Sequence, residues 1–268
     1  PSYLGALPAG HLTLAKAREA AARCRACDLW RIGTQTVFGE GDAHAVVFFV
    51  GEQPGNDEDI AGRPFVGPAG KLLDRALTAA GIDRRRVYVT NVVKHFKWVP
   101  QGKRRIHQKP NAREIAACRP WLDQELALVR PRVIVCLGAT AAQAVIGKHF
   151  RVSRQRGELV PSPLAPFVTA TVHPSSILRA RDDETRHREM EAFIEDLRKV
   201  ARVVRGSGAS GEEAEAGAGS RRSSTAPNAR GGSNTAATAA PEREPRPRPR
   251  LRARRSRSTA RAPATRDT

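Results

Sequence analysis

Four cysteines are the residues of this chain whose spacing most directly suggests chemistry. Cys24 and Cys27 form a close pair, Cys118 and Cys136 stand far along the chain, and there is no fifth cysteine. A zinc ribbon needs two close pairs, which this spacing lacks. One close pair with two distant cysteines is compatible with four thiolates around a [4Fe–4S] cluster. No electron-transfer motif flanks them, so such a cluster would be structural.

Two other interpretations of these cysteines stay open. The same four sulfurs could hold zinc, or the cysteines could be buried side chains without a metal. The sequence has no apolar run of transmembrane length and no recognisable secretory signal, which predicts a cytoplasmic, nucleoid-associated protein. Thiols stay reduced in that compartment, so metal ligation is expected rather than disulfide formation.

Strand and helix patterns alternate along the first 205 residues and predict an α/β fold. Short apolar runs are typical of buried strands, and longer amphipathic segments are typical of helices. The predicted strands are residues 45–50, 87–90, 133–137 and 167–172, and the predicted helices are residues 70–80, 112–129, 139–146 and 183–203. Their alternation indicates a three-layer αβα sandwich with a central four-stranded, mainly parallel sheet.

Polar residues directly follow three of the four predicted strands. Glu52 lies in Gly51-Glu52-Gln53-Pro54-Gly55 after the first strand, Asn91 follows the second, and His173 follows the fourth. Ligands of open α/β sheets bind outside the carboxyl ends of the strands. We therefore expect a carboxylate, an amide and an imidazole to meet along one edge of the sheet.

These groups suit an enzyme that removes a base from a nucleic acid. A carboxylate stabilises a cationic sugar, and an amide pairs with a base edge that carries both a donor and an acceptor. An imidazole donor can hold the oxygen anion of a departing pyrimidine. Phe65, in Gly62-Arg63-Pro64-Phe65-Val66-Gly67, offers a face on which a flat heterocycle can stack. The expected reaction is extrusion of a base and cleavage of its N-glycosidic bond.

These motifs together resemble those of the iron–sulfur uracil-DNA glycosylases, over roughly residues 14–203. The similarity rests on the motifs at 51–55 and 62–67, on Thr90-Asn91, on His173-Pro174-Ser175-Ser176-Ile177-Leu178-Arg179 and on the four cysteines. The resemblance implies catalytic roles for Glu52 and His173. It also implies further site residues, namely Gly51, Gln53, Phe65 and Asn91 for substrate binding and Cys24, Cys27, Cys118 and Cys136 for a [4Fe–4S] cluster.

One insertion resembles a narrower subgroup, the UdgX proteins. The loop after Asn91 carries Lys103-Arg104-Arg105-Ile106-His107, and the Glu52-Gln53 pair accompanies it. In that subgroup a loop histidine attacks C1′ of the sugar, which implies that His107 becomes covalently joined to DNA. Imidazole is a good nucleophile near neutral pH. In an extended segment Arg105 would face the same side as His107 and could contact a phosphate.

Each of these assignments has a plainer structural alternative. Glu52 could cap the helix that begins near residue 70, and Asn91 could form an Asx turn. His173 could be a buried structural histidine, His107 a solvated loop residue, and Phe65 a core residue. The sequence alone does not decide between these alternatives.

The chain is strongly basic, with a formal net charge of +19. Residues 206–268 hold 13 Arg against 6 Asp or Glu, so about +12 remains on residues 1–205. A polyanionic partner is therefore expected. Residues 206–268 are poor in large apolar residues and predict a disordered basic tail after a glycosylase-like domain at 1–205. That tail either binds phosphates weakly or is a neutral solvated extension.

The sequence as a whole predicts a monomeric uracil-DNA glycosylase that acts on uracil-containing DNA, preferably single-stranded, and is captured on the abasic sugar through His107. Two alternatives stay open: an ordinary iron–sulfur glycosylase that releases free abasic DNA, and a non-catalytic DNA-binding module. No membrane partner is expected, and no role is predicted for His95.

Overall fold

Six strands form the central sheet within residues 13–206, which are the part of the chain that the computed structural model describes. The strands are β1 (Glu40–Gly41), β2 (Val47–Gly51), β3 (Val87–Asn91), β4 (Trp98–Gln101), β5 (Arg104–His107), β6 (Val133–Leu137), β7 (Val160–Ser162) and β8 (Ala165–Thr171). The helices are α1 (Leu14–Ala21), α2 (Leu29–Ile32), α3 (Asn56–Ala61), α4 (Pro68–Ala80), α5 (Ala112–Val129), α6 (Ala139–Val145), α7 (Val152–Gln155), α8 (Pro174–Leu178) and α9 (Asp183–Gly206).

The sheet is mainly parallel, as the sequence predicts, but the predicted number of four strands is wrong. Its order is β1-β3-β2-β6-β8-β7. The four inner strands pair in parallel, whereas β1 and β7 pair antiparallel at the two edges. The edge strands are two and three residues long, so they carry no apolar run from which they could be predicted.

Helices cover both faces of the sheet because the inner strands send apolar side chains to both sides. In β2, Val47 and Phe49 belong to one core cluster, and Phe48 and Val50 belong to the other. The first cluster includes the apolar face of α4 and residues of α9, and the second includes residues of α1 and α5. Strands buried on both faces are typical of parallel sheets under helices.

Local sequence signals fix the ends of the helices that border the site. α4 begins with Pro68 and ends at Gly81, whose φ of +71° suits a residue without Cβ. α5 begins with a capping box in which Asn111 and Glu114 satisfy each other's backbone N–H groups.

The insertion after β3 folds as a separate two-stranded hairpin of β4 and β5. Trp98 pairs with His107 and Pro100 with Arg105, and Gly102 turns the chain with φ of +58°. The Trp98 indole donates a hydrogen bond to the carbonyl of Ile32, 2.8 Å away. The hairpin thus brings the predicted nucleophile close to the main body as part of a regular element.

The described residues end with α9, close to the predicted domain boundary at residue 205. The predicted tail at 206–268 lies outside the described residues, apart from Gly206. Among residues 13–206 no helix is both long enough and apolar enough to cross a membrane.

Candidate active site

A pocket of about 480 Å³ opens at the carboxyl ends of the inner strands. Six of the predicted site residues line it, namely Glu52, Gln53, Phe65, Asn91, His107 and His173. Parallel strands bring their carboxyl ends to the same edge, so residues from distant parts of the sequence meet there. The strand-end pattern therefore located the pocket correctly, while the chemical roles of these residues stay predictions.

Glu52 and His107 contact each other in this pocket. His107 Nε2 lies 3.2 Å from Glu52 Oε1, and the Thr140 hydroxyl donates a hydrogen bond to Glu52 Oε2. Burial alone would raise the pKa of Glu52, but the hydrogen bonds from His107 and Thr140 and the nearby imidazoles bring that pKa below its ordinary value. Glu52 is therefore ionised at neutral pH, and one of its oxygens faces the imidazole.

Helix capping is the structural alternative considered for Glu52, but in the structure Glu58 performs it. Its carboxylate accepts hydrogen bonds from the backbone N–H of Gly55, at 3.1 Å, and of Gly67, at 2.8 Å. These glycines precede α3 and α4, so one buried carboxylate satisfies the starts of two helices. Glu58 thereby fixes the two loops that carry Glu52 and Phe65 relative to each other.

His173 caps a helix, which is a structural role, and it also lines the pocket, while its catalytic role stays a prediction. Its Nδ1 accepts a hydrogen bond from the backbone N–H of Ser175 at 3.1 Å. Burial lowers the pKa of His173 to about 4, so the ring is neutral at neutral pH. Because Nδ1 is an acceptor, the proton of the neutral ring resides on Nε2. His173 therefore presents a neutral N–H donor.

Phe65 is held in a conformation that is unusual for a bulky residue, with φ of +56°. Its ring is 9% exposed, forms part of the core and lines the pocket. The centroids of the Phe65 and His173 rings are 6.2 Å apart, with 28° between the ring planes. Strained backbone of this kind clusters at ligand sites.

Asn91 lines the pocket next to Phe65, and Gly51 lies directly beside both. Asn91 and Gly51 are opposite each other in the pairing of β2 and β3. A Cβ added to Gly51 would lie 2.3 Å from Asn91 Oδ1 and 2.8 Å from Phe65 Cζ. Asn91 is only 3% exposed. Gly51 is not a lining residue, but its missing side chain leaves room for the Asn91 amide and the Phe65 ring.

Gln53 binds both ends of the hairpin. Its amide nitrogen donates to the carbonyls of Lys97, at 3.2 Å, and Gln108, at 3.1 Å, and its oxygen accepts from the Lys97 N–H at 3.1 Å. Lys97 precedes β4 and Gln108 follows β5. Although Gln53 lines the pocket, its amide is engaged with backbone groups, so the geometry favours positioning of the hairpin over the predicted contact with substrate.

Arg105 faces the same side of β5 as His107, as predicted, and its guanidinium is engaged within the protein, while its phosphate contact stays a prediction. Its guanidinium pairs with Asp59, with 2.6 Å between Nη1 and Oδ2, and donates to Asn56 Oδ1 at 2.8 Å. It also lies 5.4 Å from the ring centroids of Phe96 and Trp98. Arg105 therefore fastens the hairpin to the main body, and it does not line the pocket.

Three of the four cysteines line a small cavity beside the sheet, namely Cys24, Cys27 and Cys118. Cys136 is fully buried in the middle of β6 and does not line this cavity. Within residues 13–206 no group of three His, Cys, Asp or Glu side chains is arranged to hold a single metal ion. Thiols around a shared cavity still fit a larger iron–sulfur cluster, whose ligands lie further apart than those of one ion.

Thr140, Lys109 and Arg179 also line the pocket, although the sequence predicts no role for them. Thr140 lies in the first turn of α6, just after β6, so the strand-end rule applied to the third predicted strand would have found it. Arg179 ends the His173 motif and Lys109 follows the hairpin. These two residues add positive charge to the lining of the pocket.

Comparisons with known proteins identify the family. The model described as the uracil DNA glycosylase superfamily matches residues 38–198. A type-4 uracil-DNA glycosylase of Thermotoga maritima is 38% identical over 191 residues, which are 71% of this chain and 94% of the relative. A type-4 uracil-DNA glycosylase of Archaeoglobus fulgidus is 36% identical over 187 residues, which are 67% of this chain and 87% of the relative. A type-5 uracil-DNA glycosylase of Pyrobaculum aerophilum is 30% identical over 194 residues, 66% of this chain and 80% of the relative. The chain belongs to the uracil-DNA glycosylase superfamily.

Proposed function

We propose that this protein is a DNA-repair uracil-DNA glycosylase that excises uracil and becomes covalently linked to the abasic sugar through His107, in the manner of the UdgX subgroup. Family membership and the named activity of the relatives support the glycosylase part. The contact of 3.2 Å between His107 Nε2 and Glu52 Oε1 supports the covalent part, because the imidazole lies beside the carboxylate that would stabilise the sugar cation.

Uracil would be held on three sides in the pocket. Phe65 offers a stacking face, and the Asn91 amide offers a donor and an acceptor for the polar edge of the base. The Nε2–H of neutral His173 would donate to the oxygen on which charge develops. Single-stranded DNA is the preferred substrate in this proposal, because extrusion of an unpaired base costs less free energy.

The chemical step balances with the residues present. The bond between C1′ and N1 of uracil breaks, and its electron pair leaves with the base as an anion that His173 stabilises. The ionised Glu52 stabilises the cationic sugar. The lone pair of the His107 imidazole then forms the bond to C1′. The product is an imidazolium linked to C1′, and the Glu52 carboxylate remains beside its positive charge.

The hairpin decides whether His107 or water captures the sugar. Gln53 holds both of its ends, and Arg105 fixes its face to Asp59. A fixed imidazole has a high effective concentration at C1′, which favours its attack over that of water. The proposal therefore assigns capture to His107 and positioning to Gln53 and Arg105.

An iron–sulfur cluster is the cofactor that we propose, with Cys24, Cys27 and Cys118 among its ligands. The shared cavity of these three cysteines supports it. Bound there, the cluster would tie the segment between α1 and α2 to α5. No step of the reaction passes through it.

The proposal is tested with a fluorescent single-stranded oligonucleotide that contains one uracil. After incubation, a heated SDS gel should show a band of the combined mass of protein and DNA, and chromatography should show one released uracil per adduct. His107→Ser should abolish the band. The matched control is His149→Ser, which changes an exposed histidine away from the pocket and should leave the band unchanged.

Each alternative predicts a different result of the same experiment. Released uracil with free abasic DNA and no band identifies a turnover glycosylase and refutes capture. Salt-sensitive binding without uracil release identifies a DNA-binding module. A band that survives in His107→Ser shows that another nucleophile is used. Thymine in place of uracil should give neither product nor band, and a paired uracil should react more slowly than an unpaired one.

The domain division belongs to the same proposal. Residues 1–205 would be the catalytic unit, and residues 206–268 would add affinity for phosphates. A chain that ends at residue 206 should therefore form the adduct, with weaker DNA binding at low salt. The monomeric state and the nucleoid location stay predictions.

A further inference from the structure

We propose that Thr140 is a positioning residue, which holds the Glu52 carboxylate in the orientation that excision and capture need. This inference rests on the reaction proposed above and deepens it, because that reaction gives Thr140 no task of its own. It predicts that the hydroxyl at this position controls the pH dependence of uracil release and the share of covalent product.

The two oxygens of the Glu52 carboxylate have different partners. Oε2 accepts a hydrogen bond from the Thr140 hydroxyl, and Oε1 lies 3.2 Å from His107 Nε2. The terminal torsion of a glutamate side chain is soft, so a carboxylate without the second partner could turn about its last bond. The hydroxyl therefore fixes the plane of the carboxylate and keeps Oε1 turned toward the imidazole.

Thr140 belongs to the main body of the protein, whereas His107 belongs to the hairpin. Thr140 lies in the first turn of α6, is only 6% exposed and lines the pocket. Its branched side chain has few allowed rotamers. Gly138 turns the chain from β6 into α6 with φ of +87°, and a Cβ there would lie 3.1 Å from His173 Cβ. This close turn holds the hydroxyl at the same pocket as His173.

The hydrogen bond from Thr140 also favours the ionised form of Glu52. Burial raises the pKa of Glu52, and the hydrogen bonds from His107 and Thr140 lower it. Among the described residues, the other charged or titratable groups that line the pocket are Glu58 of α3, His107 of β5, Lys109 after the hairpin, His173 before α8 and Arg179 after α8. Removal of the Thr140 hydroxyl leaves all of these in place, so a change in pH dependence reports on the hydroxyl itself.

The test measures single-turnover uracil release and adduct formation by Thr140→Val over a range of pH. Valine keeps the branched shape of the buried side chain and removes the donor. Glu52 must be ionised to stabilise the cationic sugar, so we expect the pH below which release slows to rise by about one unit. The ratio of adduct to free abasic DNA should fall about threefold or more, because Oε1 no longer holds the imidazole in one place.

Two further variants of Thr140 separate the hydroxyl from the packing. Thr140→Ser keeps the hydroxyl and should restore the pH dependence and the product ratio of the wild type. Thr140→Ala removes the hydroxyl without a branched replacement and should behave as Thr140→Val does. The matched control is Thr78→Val, which removes an exposed hydroxyl from α4 away from the pocket and should change neither readout.

A second measurement distinguishes orientation of Glu52 from a purely structural role. In the background Glu52→Ala there is no carboxylate to orient, so Thr140→Val should change the rate of uracil release by less than about twofold. Equal losses from Thr140→Val with and without the carboxylate overturn the positioning role, because Thr140 would then act on the structure alone.

The remaining outcomes separate this inference from the proposed function. A wild-type pH dependence and product ratio in Thr140→Val overturn the role of Thr140 and leave the glycosylase reaction standing. Wild-type protein that releases uracil without any adduct refutes capture, and the shift in pH dependence then decides the role of Thr140. Wild-type protein that releases no uracil refutes the proposed function, and the role of Thr140 with it.

Discussion

The guanidinium of Arg105 lies 2.6 Å from the carboxylate of Asp59, which is fully buried at the end of α3. The pair joins two segments that are 46 positions apart. Since Arg105 is two residues before His107 on the same face of β5, this pair sets the place of the imidazole relative to the main body. Under the proposed mechanism, the share of covalent product would therefore depend on a residue that does not line the pocket.

The variant Arg105→Ala should change the ratio of products. Without the pair to Asp59 the face of the hairpin that carries His107 loses its ion pair to the main body, and the effective concentration of His107 at C1′ is expected to fall. We expect the ratio of covalent adduct to free abasic DNA to fall about tenfold, while uracil release changes little. A single-turnover reaction resolved on an SDS gel measures both products.

The matched control for that variant is Arg104→Ala, which removes an exposed neighbour of the same type. It should leave the product ratio unchanged. If both variants instead weaken DNA binding equally and keep the ratio, Arg105 contacts phosphate after all, and the positioning role is refuted.

The variant Glu52→Gln should slow uracil release itself. Glutamine keeps the shape of the side chain and can still accept from Thr140, but it removes the charge that faces the cationic sugar. We expect the rate of uracil release to fall about 10²-fold or more, with the adduct falling in parallel. Rapid-quench measurement of free uracil tests this, and the exposed Glu158→Gln is the control. A rate within about twofold of the wild type would remove Glu52 from the mechanism.

The variant Gly51→Ala should block the pocket. Its Cβ would lie 2.3 Å from Asn91 Oδ1 and 2.8 Å from the Phe65 ring, so one of these side chains must move into the space that uracil needs. We expect loss of uracil release with a fold that is destabilised by about 1–3 kcal/mol. The rate of uracil release tests the blocked pocket, and urea unfolding tests the loss of stability. Gly206→Ala, whose Cβ meets no atom within 4 Å, should change neither.

Acid should destabilise the protein partly through His173. Burial lowers the pKa of His173 to about 4 in the folded state, while the unfolded value stays near its ordinary 6.5. The unfolded state therefore binds more protons between these values, so the contribution of His173 to stability falls as the pH drops from about 6.5 to about 4. The expected loss between pH 7 and pH 5 is about 2 kcal/mol.

Urea unfolding at both pH values, for the wild type and His173→Asn, measures this contribution. Asparagine can cap α8, as His173 does, but does not titrate. The variant should lose less free energy of unfolding between pH 7 and pH 5 than the wild type. An equal loss in both proteins would mean that His173 is not the group responsible.

The sequence was sufficient to predict the inner strands and the edge at which the polar residues meet. Continuous apolar runs such as Val133–Leu137 mark strands that are buried on both faces. Because parallel strands end at one edge, Glu52, Asn91 and His173 could be placed together before their contacts were known. Predicting that these residues meet requires only the position of each strand in the sequence and the identity of the residues that follow it.

Contacts between distant segments could not be predicted in this way. Arg105 was expected to meet phosphate because nothing in its surrounding sequence indicates Asp59 as a partner. Cys136 was grouped with the other cysteines by residue type, although its position inside a strand places it away from their cavity. Residue types and their spacing can be read from the sequence. Burial and packing decide which of these side chains reach a shared cavity.

Lys94 is fully buried, and its ammonium donates to the carbonyl of Asn91 and the carboxylate of Glu125, each at 2.6 Å. The backbone N–H of the same lysine lies 3.2 Å from Cys118 Sγ. Asn91 lines the candidate active site, and Lys94 and His95 line the cavity of the three cysteines, so one short segment borders both places. Lys94 contacts both Asn91 and Cys118, so a substitution of Lys94 is expected to disturb the pocket and the cavity together.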